Sequence, residues 1–139
     1  MIVVDTNVLI YLSIGGEKNS LAQAVRIADA NWVLPPLWKH EYLNVLATYG
    51  KNGHLNLTDL RGLWTRAVQT FQPVEHHVDY LEALRVSLEY SISAYDAQYL
   101  TLALSLKVPL ITEDKALLKA APKHAFSMEQ FRYSYNKSV

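Results

Sequence analysis

The chain of 139 residues contains no cysteine. Disulfide staples, thiolate nucleophiles and zinc–thiolate centres are therefore excluded. No internal repeat, low-complexity tract or linker composition interrupts it. No apolar run approaches the length of a membrane span, and the N-terminus lacks the basic flank of a secretory signal. The expectation is a cytoplasmic protein with no membrane segment. Net charge is missing too, since 13 Lys and Arg balance 13 Asp and Glu. Neutrality of this kind leaves a nucleic-acid partner open. If four of the 13 acids line a metal site, a surplus of about +4 remains elsewhere. What the chain does have is 50% apolar and 19% charged residues, enough for one sizeable core. A single domain over residues 1–139 is expected.

The most informative stretch is Ser93-Ala94-Tyr95-Asp96-Ala97-Gln98-Tyr99-Leu100. It reads as the start of a buried helix, with Ser93 as N-cap and Asp96 in the first turn, where the helix dipole favours a carboxylate. Leu100, Ala103 and Leu104 follow at core-facing spacing. Val108-Pro109-Leu110-Ile111-Thr112-Glu113-Asp114 then reads as a short strand ending in acid. Earlier, Met1-Ile2-Val3-Val4-Asp5 has the same form: an apolar run of the buried-parallel type stopped by Asp5. Asp5 caps the following helix, around Val8–Leu12, or lies where ligands bind beyond the carboxyl ends of strands.

The remaining chain repeats the alternation. Ser13 to Asn19 is a loop, and Leu21, Ala24, Val25 and Ala28 mark a second helix. Trp32-Val33-Leu34 is a strand, ended by Pro35-Pro36. A third helix begins near Leu37 and carries Glu41 in its first turns, with Leu43, Leu46 and Ala47 as packing residues. Leu57, Leu60, Leu63, Trp64, Ala67, Val68 and Phe71 form a helical stripe for core or dimer packing. Residues 74–78 are expected as a brief strand. The adjacent His76 and His77 point apart and make a poor chelating pair. A helix to Tyr90 packs through Leu81, Leu84 and Leu88. Lys115 to Ala121 is a short helix, and Ala125-Phe126-Ser127 a last edge strand. In the tail, Phe131-Arg132-Tyr133-Ser134-Tyr135-Asn136-Lys137 mixes aromatic and basic residues, a terminus that packs or a surface that stacks bases.

Alternating strands and helices predict an α/β fold: a mostly parallel sheet of four or five short strands with helices on both faces. Four acids, Asp5, Glu41, Asp96 and Asp114, then fall along one edge of it. Unpaired carboxylates at close range repel, and no Arg or Lys in these motifs is an evident partner for all of them. Mg²⁺ or Mn²⁺, hard cations that prefer oxygen, would resolve the conflict. Such a site activates water and stabilises charge on a phosphodiester under attack.

With Val4-Asp5-Thr6-Asn7-Val8-Leu9, Glu41, Ser93 to Leu100 and Leu110 to Asp114, the chain resembles PIN-domain ribonucleases. Within them it is most similar to the VapC-type toxins of toxin–antitoxin pairs. The resemblance runs through nearly the whole chain in the family's order. It implies that Asp5, Glu41, Asp96 and Asp114 are catalytic and hold Mg²⁺ or Mn²⁺, with Asp5 and Asp96 as direct ligands. Asn7 and Thr112 match supporting polar positions. It further implies an RNA substrate, a homodimer and a small antitoxin that covers the groove. Pro35-Pro36-Leu37-Trp38 departs from the small polar residues usual ahead of the acidic helix. Basic residues are scattered; Lys39, His40, Lys51 and Lys115 are the candidates for RNA contact.

The resulting expectation is a metal-dependent endoribonuclease and toxin. A PIN-fold RNA-processing nuclease without an antitoxin, and an inactive module that binds RNA or protein, are the alternatives. A receiver domain would want paired acids before its phosphoacceptor strand and a late Lys at a strand end, whereas Lys107 precedes its strand. A haloacid-dehalogenase phosphatase needs Asp-x-Asp after the first strand, and position 7 is Asn.

Overall fold

Ile2, Val3 and Val4 form the strand β1 (Ile2–Val4), and all three are buried. In the computed structural model, which describes residues 1–138 and side chains as far as Ser134, three further short strands join it. These are β2 (Trp32–Val33), β3 (Leu110–Ile111) and β4 (Ala125–Phe126). They pair in the order β2-β1-β3-β4, every pair parallel. A parallel sheet must be covered on both faces, which is why its strands are apolar at every position.

Pleating divides the strand residues between two cores. Ile2, Val4, Trp32 and Ile111 point into the first, and Val3, Val33, Leu110 and Ala125 into the second. The first core is closed by α1 (Thr6–Ile14), α2 (Asn19–Ala28), α3 (Trp38–Lys51), α4 (Leu57–Phe71) and α8 (Met128–Ser138). The second is closed by α5 (Tyr80–Tyr90), α6 (Ala94–Leu106) and α7 (Lys115–Ala120). Trp32 stacks on Phe71 at 6.0 Å, and Trp38 on Trp64 at 6.4 Å, so aromatic rings dominate the packing of α3 and α4.

Several local expectations shift. Residues 74–78 form no strand. Gln72–Val74 is a 3₁₀ turn opened by Pro73, and one parallel bridge from Glu75 to Leu34 follows. On α3 the core face is Trp38, Tyr42 and Leu46, while Leu43 is exposed. The Leu57–Phe71 stripe packs largely inward, with Leu60, Leu63, Trp64 and Val68 against the first core, but Leu57 faces outward. On α5, Ala83 and Val86 are buried, and Leu81, Leu84 and Leu88 are 79%, 54% and 75% exposed. Helical spacing identifies a stripe; the neighbour that covers a stripe is a tertiary matter. In the tail, Phe131 packs against the first core, while the side chains of Tyr135, Asn136 and Lys137 lie outside those described.

Strand order sets the place of the site. From β1 the chain crosses to β2 on one side, and only later returns to β3 on the other. Such a reversal makes the carboxyl ends of β1 and β3 the usual ligand position in open α/β sheets. Asp5 follows β1 and Thr112 follows β3. The Asp5 N–H donates to the Ile111 carbonyl at 2.9 Å, which brings the two side by side.

Candidate active site

Asp5 is only 6% exposed. One oxygen caps α1, with the Thr6 N–H donating to Oδ1 at 2.8 Å. The other accepts the Thr112 hydroxyl at 2.8 Å and the Asn7 amide at 3.4 Å. Capping and site-forming are thus done by different oxygens of one carboxylate. Burial pushes the Asp5 carboxyl up to about 7, and the negative charges of Glu41 and Asp96 add to the rise against the opposing bonds from Thr112 and Thr6.

Thr112 is fully buried and serves as the junction of the crevice. Its hydroxyl donates to Asp5 and accepts from the Asp114 N–H at 3.0 Å. Asn7 reaches it at 3.5 Å and takes the Glu113 N–H on Oδ1 at 3.3 Å. The two residues expected to support the acids therefore bond to one acid and to each other. Replacing the hydroxyl while keeping the shape, Thr112→Val, leaves an Asp5 oxygen and the Asp114 N–H short of a partner. The expected cost is about 1–3 kcal/mol, read from the urea midpoint at constant m-value.

Glu41 enters from the first turn of α3. Its Oε1 accepts the Tyr99 hydroxyl at 2.6 Å and the Thr6 hydroxyl at 3.1 Å. Those two hydroxyls also touch each other in a very short contact. Asp96 lies in the first turn of α6, and Ser93 takes the capping role by accepting the Asp96 N–H at 3.0 Å. The Asp96 side chain is therefore not needed as a cap. Its carboxyl is also raised, first by desolvation and then by Asp114 and Glu41. Asp114 caps α7 by accepting the Leu117 N–H at 3.0 Å.

The expected acids are thus linked electrostatically, Asp5 with Glu41 and Asp96, and Asp96 with Glu41 and Asp114, although they arrive from the end of β1, α3, α6 and the end of β3. Among the described residues, no Lys, Arg or His pairs with any of them. No three of them, among the described residues, stand close enough to form a ready cage. An all-oxygen, anionic and uncompensated donor set fits a hard divalent cation. Mg²⁺ in particular keeps several waters and takes one or two carboxylates rather than a closed protein cage. Of the basic residues singled out in the sequence, Lys39 is engaged with Glu75 at 3.0 Å, and His40, Lys51 and Lys115 are exposed.

Sequence reasoning passed over three residues. Thr6 and Tyr99 hold Glu41, and Glu113 ties Lys18 at 3.0 Å to the start of α8, where it accepts the Met128 N–H at 3.0 Å. Tyr99 did leave a signal: a tyrosine on the apolar side of a buried helix needs a partner for its hydroxyl. Glu113 left none, since an acid beside Asp114 reads as surface.

A model of the PIN domain family matches residues 2–123. No curated protein sequence is significantly similar. Among solved structures, PAE2754 from Pyrobaculum aerophilum is similar with a TM-score of 0.75 and 22% identity, over 98% of this chain and 89% of that one. A toxin–antitoxin complex from Klebsiella pneumoniae gives 0.68 and 18%, over 92% of this chain and 98% of the other. FitAcB from Neisseria gonorrhoeae gives 0.69 and 19%, over 93% and 99%. At such identities the likeness is one of fold.

Proposed function

The chain belongs to the PIN domain family, and from that premise we propose that residues 1–139 form a Mg²⁺- or Mn²⁺-dependent endoribonuclease, the toxin of a toxin–antitoxin pair. The observation that carries the chemistry is Asp5: a buried carboxylate, facing Glu41 and Asp96, with no cation among the described residues to compensate it. In this reading Asp5 and Asp96 hold the cation directly, and Glu41 and Asp114 complete the set. When bound, the cation supplies Lewis-acid stabilisation of the phosphodiester under attack and lowers the pKa of a water. The protein's own part is orientation. Thr112 and the Thr6 N–H aim the two oxygens of Asp5, Tyr99 and Thr6 anchor Glu41, and Ser93 caps α6 so that the Asp96 carboxylate stays available. Asn7 and Thr112 act as supports.

The toxin role is supported by the fold shared with a toxin–antitoxin complex. It brings a small antitoxin partner that neutralises the acidic crevice, and action on RNA in the cytoplasm. The experiment is cleavage of a pool of structured RNAs by purified, partner-free protein with and without Mg²⁺ or Mn²⁺. Discrete cuts that need the metal are expected; no cutting under any metal condition would favour a binding module. Purification of the natively expressed protein should yield a small companion chain, and repeated failure to find one would count against the toxin role alone.

We also propose a homodimer through α5. Leu81, Leu84 and Leu88 form an exposed stripe there, while Arg85 bridges Glu82 and Glu89 beside it. The stripe is nearly symmetric about Leu84, so an antiparallel copy would meet it leucine to leucine, as a two-fold interface requires. Leu84→Glu combined with Leu88→Glu should convert the dimer to monomer in sedimentation equilibrium and remove the concentration dependence of the melting temperature while the protomer stays folded. A variant that still sediments as a dimer removes α5 from the interface.

A further inference from the structure

Glu41 is a long side chain with three rotatable bonds, on a helix that belongs to the first core. Something must hold its carboxylate at the crevice, because a free glutamate would lose rotamer entropy each time it engaged a ligand. Tyr99 belongs to α6 and the second core, where its ring is fully buried beside Val3 and Leu110. Its hydroxyl passes the end of the sheet and donates to Glu41 Oε1 at 2.6 Å. Thr6, at the start of α1, reaches the same oxygen at 3.1 Å and also touches the Tyr99 hydroxyl. Three elements from both sides of the sheet thus meet on one atom.

Two features make the arrangement more than a satisfied core tyrosine. First, both hydroxyls converge on Oε1, and among the described residues no donor contacts Oε2. Second, three contacts share only two hydroxyl protons. With Tyr99 donating to Glu41, Thr6 donates either to Tyr99 or to Glu41, and in neither case is a proton left to engage Oε2. Thr6 also donates its main-chain N–H to Asp5 Oδ1 at 2.8 Å. The same residue therefore registers Glu41 against Asp5.

We propose that Tyr99 is a positioning residue: with Thr6 it occupies Oε1 of Glu41, so that Oε2 is the one oxygen Glu41 offers to a divalent cation in the crevice. The assignment rests on the reading of Glu41 as a cation-holding acid. It gives the buried phenol a role in metal affinity, exerted wholly through Glu41.

Binding of Mn²⁺ itself tests this, followed by the electron paramagnetic resonance signal of the free ion and requiring no RNA. Wild type, Tyr99→Phe, Glu41→Gln and the double variant are titrated, with thermal melts alongside. Tyr99→Phe should weaken Mn²⁺ binding by about 10- to 100-fold, the usual effect of removing a group that orients a ligand. The double variant should bind no more weakly than Glu41→Gln alone. If Tyr99→Phe melts too early to be titrated, Thr6→Val removes the other hydroxyl and should shift affinity in the same direction. Wild-type affinity in Tyr99→Phe overturns the proposal. Equal weakening by Tyr99→Phe in the Glu41→Gln background overturns it as well, because the phenol would then act through general packing. Glu41→Gln binding like wild type while Asp5→Asn does not would remove Glu41 from the cation site and this inference with it, leaving the nuclease reading intact. No binding by wild type would bring down both.

Discussion

If the chain acts as the proposed nuclease, Asp96→Asn should lower metal-dependent RNA cleavage by about 10²- to 10³-fold while the protein stays folded. On that reading the magnitude would follow from losing one anionic oxygen donor to an ion that contributes several kcal/mol to the transition state, at tenfold per 1.36 kcal/mol. The fold is spared because Asp96 is not the cap of α6; Ser93 is. Asparagine also has nearly the same shape, and neutralising position 96 removes repulsion from Asp114 and Glu41. The variant should therefore melt at or slightly above the wild-type temperature without metal. Initial cleavage rates at saturating Mn²⁺, with a melt of the same preparation, check both halves. Cutting equal to wild type means that the nuclease is a contaminant or that the acids are wrongly assigned. Lost cutting with a collapsed melt means that Asp96 is structural.

The second large effect is on stability, and its sign is the reverse of the common aspartate case. The Asp5 carboxyl titrates at about 7 in the folded chain against an ordinary value of 3.8. Below about pH 4 both folded and unfolded chains are protonated there, and Asp5 contributes nothing. Between about pH 4 and 7 the unfolded chain ionises while the folded one keeps its proton, so stability falls as pH rises. Above 7 both are ionised and the full penalty stands, about 4 kcal/mol at most. Asp96 is raised as well and contributes in the same direction. Metal-free protein should lose unfolding free energy between pH 5 and 7.5 in urea titrations. Asp5→Asn should flatten that slope and be the more stable chain at pH 8. Saturating Mg²⁺ or Mn²⁺ should restore much of the loss at high pH in the wild type only, since a ligand of the folded state stabilises it by mass action. A wild-type curve that rises across this range would show that Asp5 is solvated or paired.

Both expectations depend on residues that could be singled out before any fold was known. Asp5 and Asp114 end apolar strands, Asp96 starts a capped helix, and Glu41 starts another. Each signal is local, because an apolar run stopped by acid is written in consecutive residues. The alternation of strand and helix pointed to a parallel α/β sheet for the same reason: period and run length belong to single elements. Ser93 as a cap was legible on these terms, whereas Asn7 and Thr112 stand out only through the resemblance to PIN-domain ribonucleases.

What residue order left open concerns meetings between distant elements. Leu81, Leu84 and Leu88 share a helical face as plainly as any core stripe, yet Ala83 and Val86 are the residues that α6 covers. The rotation of α5 about its axis depends on its neighbour, to which periodicity is blind. Tyr99 and Glu41 are 58 residues apart. Their bond exists because the sheet's reversal between β1 and β3 brings α3 and α6 to one edge from opposite faces. The raised carboxyl of Asp5 has the same origin, since desolvation and the fields of Glu41 and Asp96 arise only when strands and helices pack. Sequence thus carried the candidate acids, because an acid at the end of an apolar run or in the first turn of a helix is a local property. Packing carried their burial, anchoring and mutual repulsion, because those belong to the space between elements.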